Sequence, residues 1–274
     1  MPTAGVTIFG IVNVTRDSFS DGGRFLAPDA AIEHALALLA DGADVIDVGA
    51  ASSHPEAESV TAEDEIRRLA PVIGELVRRG VTVSVDSWQP EVQRFALAQG
   101  AAWLNDIRGF GEPALHPALA SSRARLVVMH SVGSGPRATR EVTDAEQVYR
   151  GVLAFFDARI VELEAAGVAR DRLVLDPGMG LFLGADPEPS VLVLRRLARI
   201  RERYRLPIFI SVSRKSLVGR LAGRPVGKRD AASLAAELFA IEQGATFVRT
   251  HEPRLLKDAL SVQHALRDGL ASST

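Results

Sequence analysis

Leu173-Val174-Leu175-Asp176-Pro177-Gly178-Met179-Gly180 is the stretch on which the reading of the fold turns. It is an apolar strand that ends abruptly on a carboxylate, followed by a turn that only proline and glycine build so tightly. Seven further apolar runs in the chain also end on a polar residue. A barrel gathers such ends around one mouth, and Asp176 would lie at its floor.

Outward from this strand, short runs rich in Val, Ile and Leu alternate with amphipathic stretches of helical period. The strands read as 7–13, 44–49, 81–86, 101–107, 125–130, 172–176, 207–212 and 245–250. Helical segments fall near 28–41, 62–79, 90–99, 113–121, 144–166, 189–204, 228–243 and 253–267, several opened by Pro or a small polar residue. Strands this apolar are buried on both faces, as parallel strands are, and eight strand–helix units close a TIM (β/α)8 barrel. The expectation is an α/β fold with a single domain over residues 1–274. The Gly/Ser-rich stretch Ser131–Pro136 reads as a loop over the mouth, because the alternation resumes after it.

Composition narrows the function. The chain has 274 residues, which suits one barrel of about 250. It has no cysteine, so disulfides and thiolate metal sites are excluded. The 32 basic and 34 acidic residues leave a formal net charge of -2, with no overall field to draw nucleic acid or anionic lipid. The stretch Met1–Gly5 lacks a basic region and an apolar core, and no run approaches about 18 apolar residues. A cytoplasmic protein acting on small molecules is expected, neither exported nor membrane-spanning.

Barrel enzymes keep their chemistry at the strand ends. In order these are Asn13, Asp47, Asp86, Asn105-Asp106, His130, Asp176, Ser213-Arg214-Lys215 and Arg249-Thr250-His251. Taken singly, a polar residue closing a strand is a cap or a loop hydrogen bond. Eight together divide by chemistry. Asp86, Asn105 and Asp176 offer acceptors and an amide, suited to a flat heterocycle with ring N–H and amino donors. Asn13, Arg249 and His251 sit on the first and last strands, which meet when the barrel closes, and offer donors suited to phosphate oxygens. Ser213-Arg214-Lys215-Ser216 leads into a short helical turn ended near Gly219, so backbone N–H groups and the lysine can face a ligand; the bland alternative is an exposed turn.

These residues resemble the dihydropteroate synthase family. The matching motifs are Gly10-Ile11-Val12-Asn13-Val14-Thr15 with Asp17-Ser18-Phe19-Ser20-Asp21-Gly22-Gly23, then Ser84-Val85-Asp86-Ser87, Asn105-Asp106-Ile107-Arg108, Asp176-Pro177-Gly178, Ser213-Arg214-Lys215-Ser216 and Arg249-Thr250-His251. They run from strand one to strand eight in family order. The resemblance implies displacement of diphosphate from (7,8-dihydropterin-6-yl)methyl diphosphate by 4-aminobenzoate. It implies that Asp86, Asn105, Asp176 and Lys215 hold the pterin, with Arg249 stacked on it or reaching the diphosphate. Asn13, Arg249 and His251 would bind diphosphate, with Mg2+ on Asn13. The loop after strand one, with Phe19 and Asp21, would close over the site. Asp21, Lys215 and Arg249 are then the catalytic set, and a homodimer packed through the last helices is implied. Leu234, Leu238 and Ile241 are compatible with that packing and equally with packing on the barrel.

The departures from the family pattern cluster at one substrate. The second loop of the family reads Gly-Gly-Glu-Ser-Thr-Arg-Pro-Gly, whereas this chain has Gly49-Ala50-Ala51-Ser52-Ser53-His54-Pro55-Glu56. After Asp-Pro-Gly the family has Gly-Phe-Gly-Lys, and this chain has Gly180-Leu181-Phe182-Leu183. Arg16 stands where Pro is usual. These changes are similar to those of the mobile sulfonamide-resistance forms, with Ser53, His54, Pro55, Phe182 and Ser213 around aminobenzoate. The plainer reading is that Phe182 fills core space and that the loop has drifted. Two other functions stay open: methyl transfer from methyltetrahydrofolate to a corrinoid, and non-catalytic pterin binding.

Overall fold

The computed structural model describes residues 5–14, 28–51, 59–133 and 144–268. Eight parallel strands form its sheet: β1 (Thr7–Asn13), β2 (Val45–Gly49), β3 (Val83–Asp86), β4 (Trp103–Asp106), β5 (Arg125–Met129), β6 (Leu173–Asp176), β7 (Phe209–Ile210) and β8 (Phe247–Thr250). Their order is β6-β5-β4-β3-β2-β1-β8-β7. The bridge between Leu175 and Ile208 brings β6 back to β7, and the Leu175 N–H donates to the Pro207 carbonyl at 2.9 Å. The sheet therefore closes into the expected barrel.

Period-two alternation decides what fills it. Phe9, Val45, Trp103, Val127, Val174, Phe209 and Phe247 form one buried apolar layer inside. Phe9 meets Trp103 and Phe209 edge to face, with ring centroids 5.0 Å apart in each pair. The Arg125 guanidinium lies 4.5 Å from the Trp103 centroid and closes the layer from the N-terminal end of the strands. With this floor packed solid, an inward residue nearer the strands' C-terminal ends faces the mouth. Outward residues such as Val12, Ile46, Val85, Leu104 and Leu175 pack beneath the helices.

The helices are α1 (Pro28–Ala40), α2 (Ala62–Arg78), α3 (Pro90–Ala98), α4 (His116–Ser121), α5 (Ala145–Ala165), α6 (Glu188–Arg195), α7 (Leu197–Tyr204), α8 (Ser216–Ala222), α9 (Asp230–Glu242) and α10 (Pro253–Asp268). Thr61 starts α2 by accepting the Asp64 N–H at 3.1 Å, with acidic residues filling the first turn. No helix among the described residues is long and apolar enough to cross a membrane.

Four elements differ from the sequence reading. The segment expected at 189–204 is two helices, because Arg196 leaves helical geometry (φ -105°, ψ 11°) and ends α6 while starting α7. The segment at 113–121 opens as a 3-10 turn over Pro113–Leu115 before α4. The seventh strand keeps ladder pairing only over Phe209–Ile210, where β8 reaches it. The turn after Lys215 does not stop near Gly219 but runs to Ala222, and Gly223 ends it in the left-handed region at φ 62°. Gly219 serves closeness instead: a Cβ there would meet the Arg229 guanidinium at 2.2 Å. Leu234, Leu238 and Ile241 pack on the barrel side, against Ile8, Val248 and Leu256.

Candidate active site

The floor of the mouth is built by β3, β4 and β6. Asp86 and Asn105 are register partners on adjacent strands, and Asp176 is level with Met129. One oxygen of Asp176 accepts the Gly178 N–H at 2.8 Å. The turn that makes this bond needs glycine, since Gly178 has φ 77° and a Cβ there would strike the His130 carbonyl at 2.3 Å. Asp176 is 2 % exposed, and burial pushes its carboxyl up to about 6 despite Lys215. Burial also holds Asp86 well above the usual carboxylate range, against the attraction of Arg249. Lys215 is pulled down to about 8, again chiefly by burial, with Asp176 opposing.

This cluster is under-satisfied in a particular way. Asp47 Oδ1, Ser84 Oγ and Asn105 Oδ1 are buried without a hydrogen-bond partner among the described residues. All three sit on neighbouring inward positions of β2, β3 and β4. Buried acceptors without donors are costly, so their grouping under the mouth marks where a ligand with several N–H donors would sit.

Arg249 lies deeper than its place in the sequence implies. The ladder sets it level with Phe9, whereas Asn13 is level with Gly49 at the far end of β1. Its guanidinium donates to Asp47 at 2.5 Å and to Asp86 at 2.9 Å, so it binds the carboxylate floor together. Asp47 is wholly buried. It is the residue that sequence reasoning noticed as a strand end yet assigned to no set. Its signal is its inward phase on β2, one strand removed from β8, which carries an inward arginine.

Asn13 is exposed at the end of β1. His251 is turned toward β7 instead: its backbone N–H donates to Ser213 Oγ at 3.1 Å, and its Nδ1 is 2.9 Å from the same oxygen. Ser213 is thus occupied by His251 and by Thr250, whose hydroxyl is 3.4 Å away.

Phe182 lies in the 3-10 turn Gly180–Phe182 and packs with Ile107, Met129 and the partly buried Trp88. The Lys215 ammonium is 5.0 Å from its ring centroid. Phe182 therefore forms an apolar wall directly beside the floor. Asp21, Ser53, His54, Pro55, Phe19 and Arg16 lie outside the described residues.

A supporting layer fixes Lys215. Arg214 adopts φ 56°, and its N–H donates to Ser233 Oγ at 2.9 Å. Its side chain reaches Asp230 at 3.0 Å and also Glu252. Arg229 donates to the Arg214 carbonyl at 2.9 Å and, more weakly, to that of Lys215. Asp106, by contrast, is a structural acceptor. It takes the N–H groups of Arg108 and Phe110 and the Gln93 amide, and so shapes the turn after β4.

A closed barrel whose mouth gathers buried carboxylates, an amide, a lysine and an arginine fits a pterin-binding enzyme. The model of that family, described as pterin binding enzyme, matches residues 9–251, which run from β1 to the residue after β8. The match is closer at the next level. Dihydropteroate synthase type-2 of Escherichia coli is 57% identical over 95% of this chain and 96% of its own. Dihydropteroate synthase type-3 of the same organism is 51% identical over 94% of this chain and 98% of its own. A solved structure of Xanthomonas albilineans dihydropteroate synthase with 4-aminobenzoic acid superposes with TM-score 0.88 at 38% identity, covering 96% and 94% of the two chains. The chain belongs to the dihydropteroate synthase family of transferases.

Proposed function

We propose that this chain joins 4-aminobenzoate to (7,8-dihydropterin-6-yl)methyl diphosphate, releasing diphosphate and forming 7,8-dihydropteroate. The observation that carries the reading is the floor itself, where Asp176 stands buried beside Asn105, Asp86 and Lys215 with acceptors left open. A 2-amino-4-oxo ring presents parallel N–H donors, and the second oxygen of Asp176 is the acceptor remaining after Gly178. Loss of diphosphate leaves positive charge on the pterin methylene, and a dry pocket lined with carboxylates stabilises it. The aromatic amine then attacks without needing a strong general base. Asp21 is assigned to the same charge, Lys215 and Arg249 to the pterin, and Arg249, His251 and Asn13 to the diphosphate.

Asn13 offers one neutral amide oxygen at an exposed strand end, and the described residues contain no cluster of three or more metal-ligating side chains. That donor set fits Mg2+ carried mainly by phosphate oxygens, as this ion prefers. When bound it would neutralise charge on the leaving group. A cytoplasmic homodimer is the assembly assigned. Phe239 on α9 and Val262 and Leu266 on α10 support it, being apolar and exposed.

The aminobenzoate subsite is assigned to Ser53, His54, Pro55, Phe182 and Ser213, in a form insensitive to sulfonamides. The bulk of Phe182 beside the floor supports that reading. The deciding experiment supplies both substrates with Mg2+ and follows diphosphate release, then repeats it with increasing sulfonamide. Product without sulfonamide inhibition is expected. A corrinoid methyltransferase or a non-catalytic pterin binder would release no diphosphate, and that result would overturn the proposal.

A further inference from the structure

Beyond the polar floor, the inward phase of the strands brings one further row of side chains into the mouth. Asp86 and Asn105 are register partners, and the Ser87 N–H donates to the Asn105 carbonyl at 3.1 Å, which continues the ladder past β3. The next inward position on β3 is Trp88, level with Ile107 on the extension of β4. Asn105 pairs with Val127 and Met129 with Asp176, so the row runs on through Met129 and ends at the Asp176 carboxylate. Trp88 packs against the cluster of Ile107, Met129 and Phe182, as this order requires. An apolar row therefore leads from Asp176 on β6 to an indole at the end of β3. Adjacent strands are about 4.8 Å apart, so three spacings give a row of roughly 14 Å, which accommodates a fused two-ring heterocycle along Met129 and Ile107.

The indole is held from both sides along the chain. The Ser87 carbonyl accepts the Gln93 amide at 2.7 Å, and Ser87 Oγ accepts the Gln89 N–H at 3.2 Å. The Gln89 amide donates to the wholly buried Glu65 at 2.5 Å and to the Val60 carbonyl at 3.3 Å. On a third side the Arg108 guanidinium lies 5.5 Å from the ring centroid. Trp88 nonetheless stays partly exposed, so this fixed aromatic surface is offered to the mouth.

The chemistry of the ligand sets which part of it the indole meets. With its 2-amino-4-oxo edge on Asp176, a dihydropterin turns its reduced ring toward β3, where Asp86 lies one inward position below Trp88. C6 carries the methylene and is directed to the diphosphate donors on β1 and β8. N8–H and C7 lie on the other side of that ring, with N8–H a donor for Asp86 and C7 beside it under the indole.

We propose that Trp88 is a specificity-determining residue of the ring pocket, its indole covering the C7–N8 edge of the dihydropterin and excluding rings with a substituent on C7. This deepens the reading that places the pterin on Asp176, and rests on it.

The test is calorimetric titration, in excess Mg2+, with pterin diphosphate and with its 7-methyl derivative. The parent is compared with Trp88→Ser, Trp88→Phe and Asp176→Asn, and inhibition by product diphosphate is measured alongside. The parent should bind the 7-methyl compound roughly ten- to a hundredfold more weakly, as overlap with a packed wall implies. Trp88→Ser should weaken the unsubstituted ring about tenfold, the size of a lost aromatic contact, while the 7-methyl compound binds no more weakly than to the parent. Diphosphate inhibition should not change, a split that general loosening of the mouth would not produce. Trp88→Phe keeps a flat but shorter side chain. It should bind the unsubstituted ring within threefold of the parent and discriminate less, a comparison that stands even if the serine variant does not fold. Parent affinity and parent discrimination in the serine variant, or in the phenylalanine variant if serine does not fold, overturn the proposal. Equal losses for both compounds together with weakened diphosphate make Trp88 a structural residue and overturn it too. If Asp176→Asn alone weakens the pterin, the placing on Asp176 stands without Trp88; if neither substitution does, that placing fails as well.

Discussion

Replacing Asp176 by asparagine changes one oxygen for an amide at the base of the mouth. Burial raises the parent carboxyl from 3.8 to about 6, so charging it there costs roughly 3 kcal/mol. That cost is offset when a ligand brings donors to the oxygen that Gly178 leaves open. Exchanging a charged acceptor for a neutral group facing buried donors costs about 2 to 4 kcal/mol, or roughly thirtyfold to a thousandfold in Kd. Calorimetric titration with pterin diphosphate in excess Mg2+ reads this directly. The sign with pH follows from the raised pKa: below about 6 the parent holds a neutral acid, and above it a carboxylate. Parent affinity should therefore fall as pH drops through 6, while the asparagine variant stays flat. A variant that binds within threefold of the parent at pH 7, or that keeps the parent's pH dependence, would refute the placing of the pterin on Asp176.

Four further outcomes are expected. In kcat/KM against pH for the parent, a second limb should fall as pH rises through about 8, where Lys215 loses its proton, and Lys215→Gln should erase that limb. Arg249→Ala should lower folding stability by about 3 to 5 kcal/mol in urea titration as well as weaken diphosphate inhibition, because Asp47 and Asp86 lose their buried partner. Asp21→Ala should reduce kcat far more than pterin affinity, and equal losses in both would make it a ground-state contact. Phe182→Gly should lower the ratio of the sulfonamide inhibition constant to the aminobenzoate KM by roughly one to two powers of ten, since overlap with a packed wall is worth about 1 to 3 kcal/mol. A ratio that does not fall would pass the discrimination to Ser53 and His54.

The barrel and its floor were legible because both depend on short-range pattern. Apolar runs ending on Asp86, Asn105 and Asp176 carry their inward phase with them, and the Pro177-Gly178 turn announces its own geometry. What stayed hidden was side-chain reach. Arg249 and Asp47 are separated by 202 positions, and nothing in either strand says that the guanidinium bends inward to a carboxylate rather than outward to an anion. Register decides it, and register appears only when β1 is placed between β2 and β8. The break at Arg196 was equally invisible. The apolar period continues across it, with Val193, Leu194, Leu197 and Ile200 all buried, so nothing in the pattern marks where the backbone leaves helical geometry.

The same distinction explains why the site needs its outer layer. A buried lysine beside a phenyl wall loses solvation, and its stem has several rotatable bonds to immobilise. Strand β7 supplies little rigidity, being two residues long. Fixation therefore comes from behind: Ser233 and Asp230 hold Arg214 in its left-handed conformation, and Arg229 grips the carbonyls on either side of the Arg214–Lys215 bond. Gly219 completes this arrangement, since any side chain there would push Arg229 out of reach. Lys215 is thus placed through the backbone that carries it, which Arg229 and the residues around Arg214 hold. For that reason the start of α9 belongs to the active site as much as the strand ends do.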